Sequence, residues 1–311
     1  MSEIEAFQAY RPLLFSIAYR MLGSASEAED VLQDAYLRYA GAQSQVAAPP
    51  GQVRSLKAYL STIVTRLCLD RLKAARAVRE QYFGPWLPEP VLTQADDPQG
   101  DVERHESITL AFLVLLEALT PQERAVFLLR EVFEYEYDEI AEVLGLSAAN
   151  CRQLLRRAKQ RVAEGRARFK PAPERQRQLV ERFLAATQRG DLQGLTSMLA
   201  HDVMFTADGG GKVPAVRRPV YGRDAVAKVV IGLARTVERA LHTTFTSLRF
   251  DSAEVNGEAA LLLWVDDHLD TVFVYSVVDD QVAAIRALRN PEKLAYILGQ
   301  LRSRADAPGA L

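Results

Sequence analysis

The stretch that most constrains the fold of this chain runs from Tyr137 to Val162, YDEIAEVLGLSAANCRQLLRRAKQRV. It predicts two short helices joined by a tight turn at Gly145, because glycine adopts positive φ at little cost. Ser147 is a suitable N-cap for the second helix. Four residues of that helix recur at helical spacing and predict a buried stripe: Cys151, Leu155, Ala158 and Val162. The pattern is typical of a helix-turn-helix.

The opposite side of the second helix is basic. From Arg152 to Lys170 the chain has eight basic side chains and one acid, Glu164. This one-sided charge favours a recognition helix that enters the major groove of DNA. The alternative is an ordinary helical hairpin whose cationic face is simply solvated.

The composition is that of an ordinary protein of two or three domains, with 311 residues and a net charge of −2. This charge does not indicate a nucleic-acid binder, but local clustering of basic residues decides the field at a surface. Cys68 and Cys151 are too few for a disulfide framework and lack metal-ligand spacing, so we expect no metal and no cofactor. Without a signal-peptide pattern or an apolar run of about 18 residues, we expect a cytoplasmic protein with no membrane partner.

The first eighty residues predict three helices. Residues 4–22 are amphipathic, and Ser26 with Glu29 predicts a capping box at the start of the second helix. That helix exposes acids, either as a solvated face or as a docking face for a basic partner. A loop from Gly41 to Ser55 follows, and the third helix runs from about Leu56 to Val78. The later part of the third helix is basic: Arg66, Arg71, Lys73, Arg76 and Arg79.

Residues 81–104 contain several helix breakers and acids and predict a linker. Its aromatic patch is too apolar for a free tether, so we expect it to dock on a neighbouring surface: Tyr82, Phe83, Trp86 and Leu87. A helix at 108–118 comes next, and then Thr120, Pro121 and Glu123 predict a capped helix start. A second linker lies at 170–173, before a change of periodicity.

The C-terminal part predicts an α+β domain, with helices on one side of a curved antiparallel sheet. Strand-like runs begin at five places: Val203, Thr243, Ala259, Asp270 and Gln281. Asn256-Gly257 and Asp279-Asp280 predict tight turns between strands. Helices are expected at three places: 175–188, 224–235 and 291–298.

The first 168 residues resemble a bacterial sigma factor of the extracytoplasmic-function group, whose two DNA-reading domains are all-α. AEDVLQDAYLRYA resembles region 2.2 of that group, and SLKAYLSTIVTRLCLDRLK resembles regions 2.3 to 2.4. The segment from Leu119 to Val162 resembles region 4. Tyr59 stands where many members have tryptophan.

The C-terminal part resembles a SnoaL-like domain of the NTF2-like fold. Three motifs are similar to those of the sigma-factor subgroup with this extension: GPWLPEP at 84–90, DGGGK at 208–212 and NPEKL at 290–294. The resemblance implies a region 2 domain at 1–79, a linker at 80–107, a region 4 domain at 108–169, a linker at 170–174 and a regulatory domain at 175–311.

The resemblance implies an alternative sigma factor, not an enzyme, whose partners are promoter DNA and the clamp coiled coil and flap of core RNA polymerase. Asp30, Gln33 and Asp34 would bind the polymerase. The loop at 41–55 would read the minus-10 element, beside phosphate contacts from Arg66, Arg71 and Lys73. The recognition helix would read the minus-35 element through Asn150, Arg152, Gln153 and Arg156 at base edges and Arg157, Lys159 and Arg161 on phosphates.

The resemblance also implies regulation in cis: the last domain would dock on the sigma half through the WLPEP linker, DGGGK and NPEKL, and so set the spacing of the two promoter-reading domains. The residues expected in these contacts are Trp86, Leu87, Pro88, Asp208, Gly209, Gly210, Gly211, Lys212, Asn290 and Pro291. The glycine run could bind an anion or form a turn, and the turn is favoured because no helix start follows it directly.

A pocket for an unknown small ligand is a further expectation for the last domain. Its candidate polar groups are Asp208, His242, Asp266, His268 and Tyr275. Two other classes of protein stay open: a one-component repressor that binds operators alone, and an enzyme fused to a DNA-binding half.

Overall fold

A computed structural model describes residues 3–44, 55–93, 109–163 and 173–305, which fall into two compact units. The described part of the first, the helical unit, comprises residues 3–44, 55–81 and 112–163. That of the second, the sheet unit, comprises 82–93, 109–111 and 173–305. The predicted region 2 domain and all but residues 109–111 of the described region 4 domain therefore share the helical unit, and linker residues 82–93 belong to the sheet unit. None of the described helices is long and apolar enough to cross a membrane.

The first half of the helical unit contains α1 (Glu3–Leu22), α2 (Ala25–Ser44) and α3 (Leu56–Glu80). The apolar stripes of these helices meet in a core that includes Leu14, Ile17, Val31, Leu60 and Val64. The prediction of Ser26 as the N-cap is wrong, because α2 begins at Ala25 and Ser26 lies inside the helix. Ser24 takes this role, and its Oγ accepts a hydrogen bond from the Glu27 amide at 3.1 Å.

The second half contains α4 (Leu110–Leu116), α5 (Pro121–Glu131), α6 (Tyr137–Leu144) and α7 (Ala148–Ala163). The capping box that opens α5 is confirmed, since Thr120 Oγ1 accepts from the Glu123 amide and Glu123 Oε2 accepts from the Thr120 amide. The helix-turn-helix is also confirmed. Gly145 ends α6 with φ 66° and ψ 37°, and Ser147 Oγ accepts from the Asn150 amide at 3.2 Å.

The described part of the sheet unit is built on six strands in the order β2-β1-β6-β5-β4-β3. They are β1 (Leu199–Asp208), β2 (Val220–Tyr221), β3 (Arg249–Val255), β4 (Glu258–Val265), β5 (His268–Val278) and β6 (Gln281–Leu288). The predicted antiparallel sheet is confirmed for four of the five strand pairs between described residues, but β1 pairs with β6 in parallel. These strands are far apart in the chain, so no local turn signal reveals the direction in which they pair.

Helices α8 (Pro173–Arg189), α9 (Leu192–Met198) and α10 (Arg223–Leu241) share an apolar core with the sheet, and α11 (Pro291–Ala305) follows β6. The strand predicted from Thr243 begins only at Arg249, after a short 3-10 turn at Phe245–Ser247. Both predicted tight turns are confirmed. The φ angles are 54° and 65° at Asn256-Gly257 and 50° and 56° at Asp279-Asp280, as a type I′ turn requires.

The described linker residues extend the sheet at the outer side of β3. Leu92 forms an antiparallel bridge with Val255. The Asn256 amide donates to the Val91 carbonyl at 2.9 Å, and the Thr93 amide donates to the Glu254 carbonyl at 3.0 Å. The linker thus docks by strand addition, which satisfies backbone groups that an edge strand leaves unpaired. The expectation that this segment is not a free tether is confirmed for residues 82–93.

Candidate nucleic-acid interface and linker-docking site

The two faces of α7 differ as the sequence predicts. Cys151, Leu155 and Ala158 are at most 5% exposed, while Val162 is half-buried. The polar residues expected to face DNA are all exposed: Asn150, Arg152, Gln153, Arg156, Arg157, Lys159 and Arg161. The second helix of the helix-turn-helix therefore presents a continuous cationic surface to solvent, as major-groove docking requires.

The cations on this face differ in whether another side chain of the helical unit contacts them. The Arg152 guanidinium lies 4.8 Å from the centre of the Tyr137 ring, and Lys159 pairs with Glu131 of α5 at 2.8 Å. Arg161 pairs with Glu123. Gln153, Arg156 and Arg157 make no such contact with the described residues. The Lys159 and Arg161 side chains are themselves 52% and 46% exposed, so phosphate groups can compete for both cations.

Arg66, a predicted phosphate contact, instead joins the two halves of the helical unit. Its Nε donates to the Val143 carbonyl at 2.9 Å, and its Nη2 donates to the Glu142 carbonyl at 3.1 Å. These carbonyls lie at the C-terminal end of α6, where backbone acceptors lack helical partners and a cation is favoured. The guanidinium is thereby occupied by the helix-turn-helix.

Two buried hydrogen bonds also join the two halves of the helical unit. The Tyr135 hydroxyl donates to Ser61 Oγ at 2.7 Å. The Arg124 Nη1 donates to the Met21 carbonyl at 2.7 Å, and Arg124 is only 3% exposed. The region 2 and region 4 halves thus pack against each other through satisfied polar groups as well as apolar side chains.

Arg71 pairs with the predicted polymerase-binding acids. Its Nη2 lies 2.8 Å from Asp34 and its Nη1 lies 3.7 Å from Asp30. Lys73 pairs with Asp70 at 3.4 Å, and both side chains are exposed. Gln33 is exposed as well. Of the predicted minus-10 loop, residues 45–54 lie outside the described part of the chain.

The linker-docking site centres on Asp208, which ends β1 and is 1% exposed. Its Oδ1 accepts hydrogen bonds from the Tyr82 hydroxyl at 2.6 Å and from the Gly210 amide at 3.0 Å. Its Oδ2 accepts from the Leu87 amide at 2.8 Å and from Lys293 Nζ at 2.7 Å. A buried carboxylate with four donors is well compensated for its lost hydration.

Lys293 of α11 completes this site. Its Nζ also donates to the Leu87 carbonyl and lies 4.1 Å from the Trp86 ring centre and 4.9 Å from the Tyr82 ring centre. The ammonium is therefore held by a carboxylate, a carbonyl and two aromatic faces. Burial raises the pKa of Tyr82, and its hydrogen bond to Asp208 raises it further.

The glycine run forms a turn that fits closely between the linker and α11. Gly210 and Gly211 have φ of 61° and 72°. A Cβ on Gly210 would lie 2.3 Å from Asn290 Nδ2, and one on Gly211 would lie 3.2 Å from the Cβ of Phe83. The Asn290 Nδ2 donates to the Tyr82 hydroxyl at 3.1 Å. This position therefore requires glycine for both backbone conformation and space.

The structure brings together most of the residues expected in the linker contacts. Leu87 and Pro88 are buried, Trp86 packs under Lys293, and Lys212 pairs with Glu292. Pro291 opens α11 directly after Asn290. Lys293 was not among the predicted contact residues, although it belongs to the NPEKL motif. Its spacing in the chain gives no sign of a partner 85 residues away.

Of the five candidate pocket groups, Tyr275 lines a cavity in the sheet unit. The other four are wrong. Asp208 holds the linker, and His242 is an exposed left-handed residue at the end of α10. Asp266 lies in the exposed turn between β4 and β5, and His268 is the exposed first residue of β5, where its imidazole contacts the Asp266 carbonyl. The cavity has polar residues that the sequence analysis did not name: Thr187, Asp270, Thr271 and Arg289.

The family model for sigma-70 region 2 matches residues 6–78, and the model for sigma-70 region 4 matches residues 109–162. Over 297 residues the chain is 37% identical to the ECF RNA polymerase sigma factor SigJ of Mycobacterium tuberculosis, covering 94% of this chain and 93% of that protein. The chain belongs to the extracytoplasmic-function RNA polymerase sigma factors. The probable sigma factor SigI of the same species is 30% identical over 299 residues, or 95% of this chain and 96% of its own length.

The crystal structure of the M. tuberculosis sigma factor SigJ is also similar in fold. It matches with a TM-score of 0.73 and 36% identity and covers 94% of this chain and 98% of that one. Because these matches span nearly the whole chain, this sigma factor shares the sheet unit as well as regions 2 and 4 with SigJ. The resemblance to the extracytoplasmic-function group and the predicted fold class, all-α sigma regions followed by an α+β domain, are confirmed.

Proposed function

We propose that this sigma factor directs core RNA polymerase to promoters by reading two separate elements. In this proposal α7 reads the minus-35 element, with Asn150, Arg152, Gln153 and Arg156 at base edges and Arg157, Lys159 and Arg161 on phosphates. The loop at 41–55 and α3 read the melted minus-10 element, with Arg66, Arg71 and Lys73 on phosphates. The observation that carries the proposal is the exposed cationic face of α7 in a chain of this family.

The proposed contact with core polymerase is the acidic surface of α2. Asp30 and Gln33 line a groove with Ile4 and Phe7 between α1 and α2. Ile4 is 56% exposed, so the groove combines apolar area with negative charge. This combination suits a basic coiled coil such as the polymerase clamp, while region 4 would contact the flap. The protein would then work in the cytoplasm, where the polymerase acts.

If the chain occupies both promoter elements at once, the two halves of the helical unit must separate. The minus-10 and minus-35 elements are about 25 base pairs apart, or about 85 Å at 3.4 Å per base pair. In the helical unit Arg66 of α3 contacts Val143 of α6 at 2.9 Å. The two halves cannot hold this contact and also occupy both elements. The contacts of Arg66 and Tyr135 therefore stabilise an inactive arrangement, and opening frees Arg66 for phosphate.

The docking of the linker on the sheet unit supports a role for this unit as a regulator in cis. It holds residues 82–93, which would span about 40 Å if they were extended. Releasing this segment lengthens the tether available between regions 2 and 4. Docking is an intramolecular equilibrium, so even a weak contact is well populated until something competes with it. We expect docking to disfavour the open arrangement.

The deciding experiment is run-off transcription with core polymerase, the full chain and genomic promoter fragments. We expect specific transcripts that disappear when the chain is omitted. Tight, specific binding to free duplex without polymerase, and no transcripts, would instead indicate a one-component repressor.

We assign the cavity of the sheet unit to binding and not to catalysis, because its carboxylate Asp270 is occupied by Arg289 and Thr271. Turnover of a small molecule by the purified chain would contradict that assignment.

A further inference from the structure

The sheet unit encloses a cavity between one face of its sheet and the helices α8 and α10. Its volume is about 80 Å³. A single water needs roughly 10–15 Å³, so a compact organic molecule of about one ring can enter. Most of the wall is apolar, including Phe183, Phe205, Val230, Phe245, Phe250 and Phe273.

One hydroxyl group at this cavity has no hydrogen-bond partner among the residues that the structure describes. Tyr275 of β5 lines the cavity, is 4% exposed and packs its ring edge against Phe183 at 5.7 Å between centres. Its hydroxyl makes no hydrogen bond with the described residues. Burial raises the pKa of Tyr275, so the group remains a donor at neutral pH. Buried hydroxyl groups normally find an acceptor, and a ligand in the cavity would supply one.

A second polar feature of the wall is an internally neutralised ion pair. Arg289 Nη2 donates to both carboxylate oxygens of Asp270, at 2.9 and 3.0 Å, and Thr271 Oγ1 donates to Asp270 Oδ2 at 2.6 Å. Because the pair carries no net charge, it offers an anionic ligand no net attraction to offset the hydration that the ligand would lose in a mostly apolar cavity. An uncharged oxygen acceptor loses less hydration and still satisfies Tyr275.

We propose that this cavity binds a small apolar molecule with one uncharged carbonyl oxygen, and that its occupancy strengthens docking of the linker. The regulatory consequence rests on the proposed control in cis. Binding itself does not, because it requires only the sheet unit and its linker.

One loop, residues 209–219, connects the cavity to the linker. Pro214, Ala215 and Val216 form part of the cavity wall. On its other side, Gly211 packs against Phe83, and the Arg217 guanidinium lies 4.9 Å from the Phe83 ring centre. The loop has little slack, since a Cβ on Gly209 would lie 2.9 Å from the Cβ of Ala215.

Adjacent residues at the end of β6 make a second connection. Arg289 lines the cavity and donates to the Pro214 carbonyl at 2.6 Å. Its neighbour Asn290 donates to the Tyr82 hydroxyl at 3.1 Å. Pro214, Ala215 and Val216 line the cavity, so a ligand would add dispersion contacts to those that Ala215 and Val216 already make with the core. The added contacts order the surface on which Tyr82 and Phe83 dock, so ligand binding and linker docking favour each other.

The first test measures binding of three probes of similar size to the purified full chain by ligand-observed NMR. Acetophenone carries the carbonyl, ethylbenzene lacks it, and benzoate carries a charge. We expect acetophenone to bind about 2- to 10-fold more tightly than ethylbenzene, and benzoate to bind weakest. Tyr275→Phe should abolish the preference for acetophenone over ethylbenzene while ethylbenzene still binds. No binding, equal binding of all three, or an unchanged preference in Tyr275→Phe overturns the proposed site.

The second test measures the coupling. Acetophenone at saturation should slow chymotryptic cleavage of the linker at Tyr82, Phe83 and Trp86 by about 5-fold or more. By reciprocity, Phe83→Ala should weaken acetophenone binding by a similar factor, although Phe83 is 55% exposed and lies outside the cavity. Tyr221→Ala, a change at another exposed aromatic of the sheet unit, is the matched control and should leave the affinity unchanged.

Equal acetophenone affinity in Phe83→Ala and the parent chain would overturn the coupling. Neither test includes polymerase or DNA. A chain that fails in transcription but passes both tests therefore contradicts the proposed function and not this inference, and the reverse result contradicts this inference alone.

Discussion

Lys293 Nζ lies 2.7 Å from Asp208 Oδ2, and the two side chains are 9% and 0% exposed. This buried ion pair joins α11 to the end of β1. The same two groups bind both the amide and the carbonyl of Leu87. The site that stabilises the sheet unit is therefore also the site that holds the linker, so a change in one should be measurable in the other.

Removing the cation from this pair should destabilise the sheet unit strongly. We expect Lys293→Met to lower the free energy of unfolding by about 3–5 kcal/mol, because Asp208 stays buried without its counter-charge. Lys212→Met is the matched control, since its pair with Glu292 is exposed, and we expect a change within about 1 kcal/mol. Denaturant unfolding and chymotryptic cleavage of the linker measure both effects. Equal stabilities of the two variants would contradict a role for the buried pair.

Linker docking should weaken at high pH. The pKa of Tyr82 is raised in the folded protein above the ordinary value of about 10, so the unfolded chain loses this proton first. The stabilisation is therefore fully present below pH of about 10 and is lost as the pH rises above it. Linker cleavage rates measured between pH 9 and 11 should rise more steeply for the parent chain than for Tyr82→Phe. Parallel pH profiles would show that docking does not raise the pKa of Tyr82.

Opening of the helical unit should become easier when the buried hydroxyl pair is removed. Tyr135→Phe leaves Ser61 without its donor, and we expect a cost of about 1–3 kcal/mol to the closed arrangement. Neither residue belongs to the proposed DNA contacts. A fluorescence energy-transfer pair on α3 and α7 should report a larger open fraction, and run-off transcription should increase. If the open fraction rises and transcription does not, the closed arrangement is not inhibitory.

Base contacts and phosphate contacts on α7 should differ in how strongly the effect of removing them depends on the promoter sequence. Arg152→Ala should cost about 1–3 kcal/mol and relax the preference at one base pair of the minus-35 element, if Arg152 makes a bidentate contact. Lys159→Ala should weaken binding evenly across promoter variants and reduce the salt dependence. Affinities of the polymerase complex for a set of single-base promoter variants test both. An even loss for Arg152→Ala would assign it to phosphate.

Local patterns determined much of the fold. The capping box at Thr120 and Glu123, the left-handed Gly145 and the Asn256-Gly257 turn are each decided by residues within a few positions of one another. The apolar stripe of α7 is equally local. These signals predict elements reliably because their hydrogen bonds and backbone angles depend on neighbouring side chains. The error at Ser26 has the same origin, since Ser24 competes with it two residues away.

The sequence by itself determined that the chain has a helix-turn-helix with one basic face, a docked aromatic linker and an α+β end. Only the tertiary structure decided that β1 pairs with β6 in parallel, that Arg66 is occupied by the end of α6, and that Asp208 holds Tyr82, Leu87 and Lys293. The physical reason is distance along the chain. Periodicity and capping report interactions between neighbours, whereas a buried charge takes whichever partner the packing of distant segments brings within reach.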